Sequence, residues 1–448
     1  MKAHTPTLAL SSLPADARHG RSRRAMWRQL CFGWLNLVLT APSVYLWLGL
    51  PLVLRQHGWS GGELGLFQLA GVPAVFKILL AMPIDGRQRG RGIGDGGDGD
   101  GNGGDGVAAL GRYRRWAIAL CLLFAAMLLL IGRVPLMFRH GELFILALLA
   151  ALLATWADVP VNALAIRLLP ESERLRAGGI RSAALSLGAI VGGGLMLLAH
   201  TQWGWRAPFW SMAIGLLSGA GLLYLLKPDD ARLAVSIDPP PIARTDWRGY
   251  FTQPAGKRWN LLLLSCFPVI GAAWFYLKPL MLDAGFAPAQ VAALVGIGGG
   301  MAAAVAGMLT PLLGRRCGIG NTLSIAAALC ATALAALTLA VWCNAGPAWM
   351  AVAALMVACA MGCMAAVAFG LMMYFVRAGR SAMDYGTQAS LFAVGRIAVP
   401  LLAGVLLDRL GYAGMLGCLS AAMLAVLLLS LNSRGRIAAA VELRGDGG

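Results

Sequence analysis

The sequence predicts an all-α integral membrane protein of about twelve transmembrane helices arranged as two six-helix halves, and three observations carry the prediction. Composition is the first. Hydrophobic residues make up 58% of the 448 residues and charged residues 13%, with a mean hydropathy of +0.71, whereas soluble domains carry about 25% charge. The second is a series of apolar runs between Leu30 and Leu431, each near the roughly 20 residues that a helix needs to cross a bilayer. The third is that lysine and arginine alternate along the chain. They crowd the N-terminal tail (Lys2, Arg18, Arg21, Arg23, Arg24, Arg28), the gaps after even-numbered runs (Arg87 to Arg115, Arg167 to Arg181, Lys227 to Arg258, Arg315 and Arg316, Arg377 and Arg380) and the C-terminal tail (Arg434, Arg436, Arg444). By the positive-inside rule both termini are cytoplasmic, so the number of spans is even.

The spans are expected at 29–54, 63–83, 115–133, 142–165, 179–199, 207–227, 259–282, 291–312, 320–342, 348–376, 386–407 and 412–431. Residues 1–28 form a polar, arginine-rich tail; the run behind it is longer than a signal-peptide core and reads as an uncleaved first span. The loop 86–111 is rich in glycine and aspartate. Asp98, Asp100, Asn102 and Gly103 match the opening of a calcium loop, but Ala109 stands where the closing glutamate belongs, so the segment reads as a flexible insert. The longest polar gap, 228–258, carries Pro239, Pro240 and Pro241 and suits a cytoplasmic linker between an N-terminal half (29–227) and a C-terminal half (259–431). Residues 432–448 are expected to be a cytoplasmic tail.

An internal repeat supports that division. Setting Gly188 on Gly395 also sets Gly179 on Gly386, which overlays the entry to the fifth span on the entry to the eleventh, equivalent positions in a parallel six-plus-six repeat. Glycines at such places let helix backbones approach closely in lipid, and packing is the reading preferred for them.

Other function classes find little support. The net charge of +17 is dispersed over short loops next to spans rather than gathered on one soluble domain, which argues against a nucleic-acid partner. The nine cysteines are odd in number, lie mostly in apolar runs and make no C-x-x-C pair, so they read as small apolar fillers. The five histidines are scattered, and no nucleophile elbow, phosphate loop or zinc signature occurs. An enzyme is not expected.

Charged residues within spans each need a reason, because one at the bilayer centre costs roughly 2.5–3.5 kcal/mol on insertion scales. Asp158 is the acid in the interior of an apolar run, and Lys77 lies at a similar depth, so a Lys77–Asp158 pair is geometrically allowed. Two readings stand side by side: a carboxylate that binds the proton or touches substrate, and a buried ion pair that only fixes helix packing. Arg396 sits inside the eleventh run. An arginine keeps its proton, so contact with an anionic substrate or a helix latch suits it better than proton carriage.

The basic loop after the second span, PIDGRQRGRG, resembles the signature loop of the major facilitator superfamily. Gly86 follows Asp85 where an arginine is usual, and the equivalent GMLTPLLGRRCG of the second half has Gly314 in place of the acid. The resemblance implies a cytoplasmic latch made by Asp85, Arg87, Arg89, Arg315 and Arg316. Three further stretches, carrying Lys77 (ELGLFQLAGVPAVFKILLAMPID), Asp158 (ADVPVNALAIRLLPESER) and Arg396 (SAMDYGTQASLFAVGRIAVPLLAG), resemble the group of anhydromuropeptide permeases, acetyl-CoA transporters and siderophore permeases. The seventh span lacks the lysine and aspartate of the muropeptide permeases, and DVPVNALAIRLLP and DYGTQASL look more like the siderophore permeases. What this implies is a multi-pass secondary transporter of the bacterial inner membrane, monomeric and without a cofactor, importing a medium-sized solute on the proton gradient by alternating access. Asp158, Lys77 and Arg396 are its proton-coupling or substrate candidates. The rivals are a muropeptide permease and a drug or metabolite exporter of the same fold.

Overall fold

The computed structural model describes residues 15–59, 63, 67, 69–85, 102–133, 139–169, 173–226, 247–377 and 380–445. Arg87, Arg89, Asp98, Asp100 and most of the proline-bearing linker lie outside the described residues, as does the side chain of Asp85. Every regular element among the described residues is helical.

The first span is α1 (Ala15–Val44), continued by a wide π turn (Tyr45–Gly49) and by Leu50–Gln56. The second, α2, is not one uniform helix. It runs as a tight 3-10 coil over Leu69–Phe76, where Pro73 cannot take part in α-helical bonding, and becomes α-helical over Lys77–Asp85. Then come α3 (Asn102–Arg133), α4 (His140–Leu168), α5 (Arg174–Ile190, continued through Val191–Leu195 and Met196–Trp203) and α6 (Arg206–Leu225). The second half holds α7 (Gly256–Asp283), α8 (Ala292–Gly299 and Gly300–Cys317), α9 (Ile319–Trp342) and α10 (Pro347–Tyr374). A last helical stretch, Ser381–Gly445, is broken at Gly411, whose φ of 66° and ψ of −176° are non-helical and suit glycine. It therefore holds two spans, α11 before Gly411 and α12 after it.

Ten helices among the described residues are long and apolar enough to cross a membrane, and Leu69–Ile84 is a shorter apolar helix. With α2 included and the last stretch divided at Gly411, the spans number about twelve, as expected. The edges differ most in three places. The first helix already begins at Ala15, inside the expected N-terminal tail of 1–28. The Gly/Asp-rich segment is already helical from Asn102, and α12 runs on to Gly445 rather than ending near 431. Residues 432–445 are no free tail: Ile437 and Ala440 are buried, and Arg258 Nη1 donates to Asn432 O at 3.0 Å.

In lipid the apolar medium drives no helix association, so close packing at small residues does the holding. The repeat glycines show it. A Cβ on Gly188 would stand 2.8 Å from Thr40 of α1, and one on Gly395 would stand 2.5 Å from Leu264 O of α7. A Cβ on Gly179 would stand 2.6 Å from Gly307 O of α8, and one on Gly386 would stand 2.8 Å from Ala81 and 3.1 Å from Lys77 O of α2. Thus α5 meets α1 and α8 as α11 meets α7 and α2, the same crossings displaced by six spans. By contrast Gly221 faces open space. Gly221→Ala is expected to leave folding intact and to raise helix stability by up to about 1 kcal/mol, which a thermal melt in detergent checks.

One end of the bundle gathers the basic residues Arg28, Arg167, Arg174, Arg176, Arg315, Arg316, Arg377 and Arg380. We call it the basic end.

Candidate functional site

Four spans bring their polar side chains to one point. Lys77 opens the α-helical part of α2, just where the 3-10 coil ends. Its Nζ lies 2.7 Å from Asp158 Oδ2 on α4. From α11, the Tyr385 hydroxyl donates to the same Oδ2 at 2.8 Å. The other carboxylate oxygen, Oδ1, accepts from Asn162 Nδ2 at 2.8 Å, one turn along α4, and lies 3.4 Å from Arg181 Nη2 on α5. Arg181 Nη2 also donates to the Tyr385 hydroxyl at 2.6 Å, so that hydroxyl accepts from the guanidinium and donates to the carboxylate.

The group is well shielded. Asp158 and Lys77 are 16% and 17% exposed, Arg181 is buried, and Tyr385 is 0% exposed. Its charges do not balance, because one carboxylate faces two cations. Removing ions from water is costly unless pairing and hydrogen bonds are good, and here the acid is fully engaged while Arg181 is not: Nε and Nη1 have no hydrogen-bond partner. The Arg181 guanidinium instead lies 4.5 Å over the ring of Phe369.

The knot joins the two halves. Tyr385 belongs to the second half; Lys77, Asp158 and Arg181 belong to the first. Around it, more bonds cross between halves. Ile78 N, an orphan donor in the first turn of the new α-helical segment, donates to Ser390 Oγ of α11 at 2.9 Å. Ser182 Oγ donates to Gly362 O at 2.9 Å, Arg167 Nε to Ser381 Oγ at 3.3 Å, and Arg174 lies 5.5 Å over the Tyr374 ring. Of these, the Arg167–Ser381 and Arg174–Tyr374 contacts lie between the knot and the basic end, whereas Ser182–Gly362 and Ile78–Ser390 lie level with the knot or just beyond it.

Of the residues expected from the sequence, Lys77 and Asp158 are in direct contact. Arg396 is apart from them, exposed, with its guanidinium 5.8 Å over the Phe392 ring. Arg315 and Arg316 are exposed at the basic end, and the acid that Arg315 meets is Glu173 of the α4–α5 turn, at 3.9 Å. Glu173 also contacts Arg176 and accepts from Gln29 Nε2. Arg87 and Arg89, with the Asp85 side chain, lie outside the described residues. Three participants go beyond the sequence reading: Asn162, Arg181 and Tyr385. Arg181, counted there with the basic loop, is buried within α5, because that helix begins at Arg174 and carries Arg181 two turns inward. Tyr385 carries no charge and stood out by no pattern of its own, although it adjoins repeat glycine Gly386.

The helices and the recurring crossings define a polytopic membrane protein of two repeated six-helix halves, with a buried charged knot where the halves touch. The family profile described as Major Facilitator Superfamily matches residues 104–397. The chain belongs to that superfamily, whose members are membrane transporters rather than enzymes. Solved structures agree in fold. The proton:xylose symporter XylE, bound to 6-bromo-6-deoxy-D-glucose, aligns over 92% of this chain and 96% of its own, with a TM-score of 0.70 and 13% identity. The fucose:proton symporter FucP of E. coli, as its N162A variant, aligns over 92% of this chain and 99% of its own, with a TM-score of 0.61 and 16% identity. A bacterial homologue of the iron transporter ferroportin, in an outward-facing state with soaked iron, aligns over 90% and 98%, with a TM-score of 0.66 and 13% identity.

Proposed function

We propose that this transporter is a proton-coupled importer of a medium-sized solute of the ferric-siderophore kind, working as a monomer in a bacterial inner membrane with both termini in the cytoplasm. Residue stretches around Lys77, Asp158 and Arg396 that resemble the siderophore permeases support the substrate group, and the alternating basic gaps support the orientation. One observation carries the proton coupling: a single carboxylate, Asp158, ties α2, α4 and α5 of one half to α11 of the other.

A proton on Asp158 removes the charge that Lys77 and Arg181 share. The first half is then left with two cations that no anion holds, the Tyr385 hydroxyl of the second half loses its anionic acceptor, and the basic end loosens. Return of the proton to the cytoplasm rebuilds the ion pair and closes that end. Proton movement and exposure of the cleft are in this way alternatives of one equilibrium, which is what alternating access on a proton gradient needs. Arg315 and Glu173 act as an exposed latch at the same end. A 3.9 Å exposed pair contributes only about 0–1 kcal/mol, so it trims the equilibrium rather than setting it.

The direct test is accumulation of labelled ferric siderophores, and separately of labelled anhydromuropeptide, by cells with and without the gene, each with and without a protonophore. Gene-dependent, protonophore-sensitive accumulation of a ferric siderophore is the expected result. Accumulation of the muropeptide would move the substrate group. No accumulation of either, with loss of resistance to toxic compounds in the deletion strain, would replace the importer with an exporter.

Tyr385→Phe isolates the bridge. It removes a hydroxyl bonded to both Asp158 and Arg181 while keeping the ring, at a cost of about 1–3 kcal/mol for the groups left unsatisfied. Initial uptake rates are expected to fall about tenfold with unchanged protein in the membrane, and a rate equal to the parent would remove Tyr385 from the mechanism.

A further inference from the structure

Arg396 has no acidic partner among the described residues, and it sits in the interior of a span. Its direction follows from helix geometry. Tyr385, Phe392 and Arg396 are spaced by seven and four residues and so form one stripe on α11. Val394, Leu401 and Val405 repeat that spacing on the opposite stripe and are 42%, 66% and 50% exposed, as a lipid-facing row would be. At Tyr385 the first stripe is fully buried against α4 and α5; at Arg396 it is exposed. Farther along the same stripe Ala403 is buried again, so the opening is local to the level of Arg396, and the Arg396 guanidinium lines this cleft.

The cleft's surroundings are cationic and aromatic. Phe392, beneath Arg396, packs against Phe267 at 5.2 Å and against Phe369 at 5.7 Å. Phe369 in turn carries Arg181, whose Nε and Nη1 are unused. Below the cleft, Lys77 and Arg181 share one carboxylate, Asp158, and Arg396 adds a third cation on the same side of the bundle with no acid of its own among the described residues. A wall with surplus positive charge, set between low-dielectric surfaces, concentrates anions and repels cations.

We infer that Arg396 is the docking point for the transported solute and that the solute class is anionic, with a carboxylate or comparable planar oxyanion taken by the guanidinium fork. The apolar body of the solute rests toward the Phe392–Phe267 side. This deepens the transporter reading and rests on it for the word transported, but the anion-selective cleft stands or falls separately.

The test uses the full-length protein in membranes, with its native cysteines replaced and one cysteine introduced by Val399→Cys, three residues beyond Arg396. Its reaction rate is measured with a negatively charged sulfonatoethyl methanethiosulfonate and with the positively charged trimethylammonioethyl reagent of similar size, applied from the side opposite the basic end. The expected result is faster reaction with the anion, by about tenfold or more relative to the cation after correction for intrinsic reactivity, a preference lost in Arg396→Gln and kept in Arg396→Lys. Equal preference in the Arg396→Gln protein, or no reaction at position 399 with either reagent, would overturn the proposal. Because the readout needs no substrate and no gradient, an anion-selective cleft in a protein that accumulates neither test solute would sink the importer reading alone. Accumulation without anion selectivity would sink this one alone.

Discussion

Asp158→Asn is expected to abolish gradient-driven uptake while the protein remains in the membrane at near-parental amount. Asparagine keeps the size of the side chain and one acceptor oxygen for Lys77 or Tyr385, but it cannot hold or release a proton. It also leaves Lys77 and Arg181 facing no buried charge, and breaking a buried ion pair by removing one partner costs about 3–5 kcal/mol. Loss of uptake in this variant alone would therefore not tell a proton carrier from a structural pair. The second variant that separates them is Lys77→Met combined with Asp158→Asn. Replacing both partners removes the stranded ammonium and returns the site to the parent's net charge of one cation, Arg181, so the variant loses less stability than Asp158→Asn alone. If Asp158 carries the proton, the double variant still fails to accumulate solute against a gradient, although it exchanges solute across the membrane without one. If accumulation returns in the double variant, the pair only holds helices together and the proton-coupling role of Asp158 is lost.

The parts of this arrangement that the sequence announces are those whose chemistry clashes with their surroundings. A carboxylate and an ammonium inside apolar runs stand out at once, and Lys77 and Asp158 lie 2.7 Å apart. Arg396 stands out for the same reason, but only the two stripes of α11 show which way it faces. Arg181 falls at the very edge of the expected fifth span, 179–199, and so counts with the basic gap from Arg167 to Arg181 rather than as a charge inside a span. Its place becomes plain only when the helix start at Arg174 is known. A signal was present all the same. The register that sets Gly188 on Gly395 also sets Arg181 on Gln388, and Gln388 is fully buried, accepting from Trp259 Nε1 at 2.7 Å. The latch is the converse case. Arg315 has no acid within its own loop, so its partner Glu173 comes from a turn more than a hundred residues away, a pairing that spacing along the chain cannot reveal. The broken second span follows from Pro73, whereas the length of α12 follows from packing: Gly320 of α9 lies directly against Arg434 O, and Ile437 and Ala440 are buried, which holds the helix on beyond the expected end at Leu431.

Bulk at the repeat glycines should unlock the basic end. A Cβ on Gly178 would stand 2.3 Å from Ala366 O, and one on Gly179 would stand 2.6 Å from Gly307 O, both backbone atoms of the opposite half. On α11 the Gly386 Cβ would meet Lys77 O at 3.1 Å and Ala81 at 2.8 Å. Backbone cannot swing aside as a side-chain tip can, so Gly179→Leu and Gly386→Leu each force the halves apart where they now touch. The strain falls on the closed arrangement and leaves an arrangement open at the basic end untouched, so the equilibrium moves toward the latter. A shift of about 3 kcal/mol, the upper range for overpacking, exceeds a hundredfold change in population at 1.4 kcal/mol per decade. Uptake is then expected to fall to background, because the cycle stalls with one end open. A cysteine at Ser182, now 1% exposed against Gly362 O, reports the opening: its reaction with an impermeant thiol reagent applied from the basic-end side should rise at least tenfold in either variant. Gly221→Leu, at a position with open space around it, provides the comparison and should change neither rate. Unchanged reactivity at position 182 in both bulky variants, with uptake preserved, would mean that these crossings are not where the halves close, and the assignment of the basic end as the gate would fall with it.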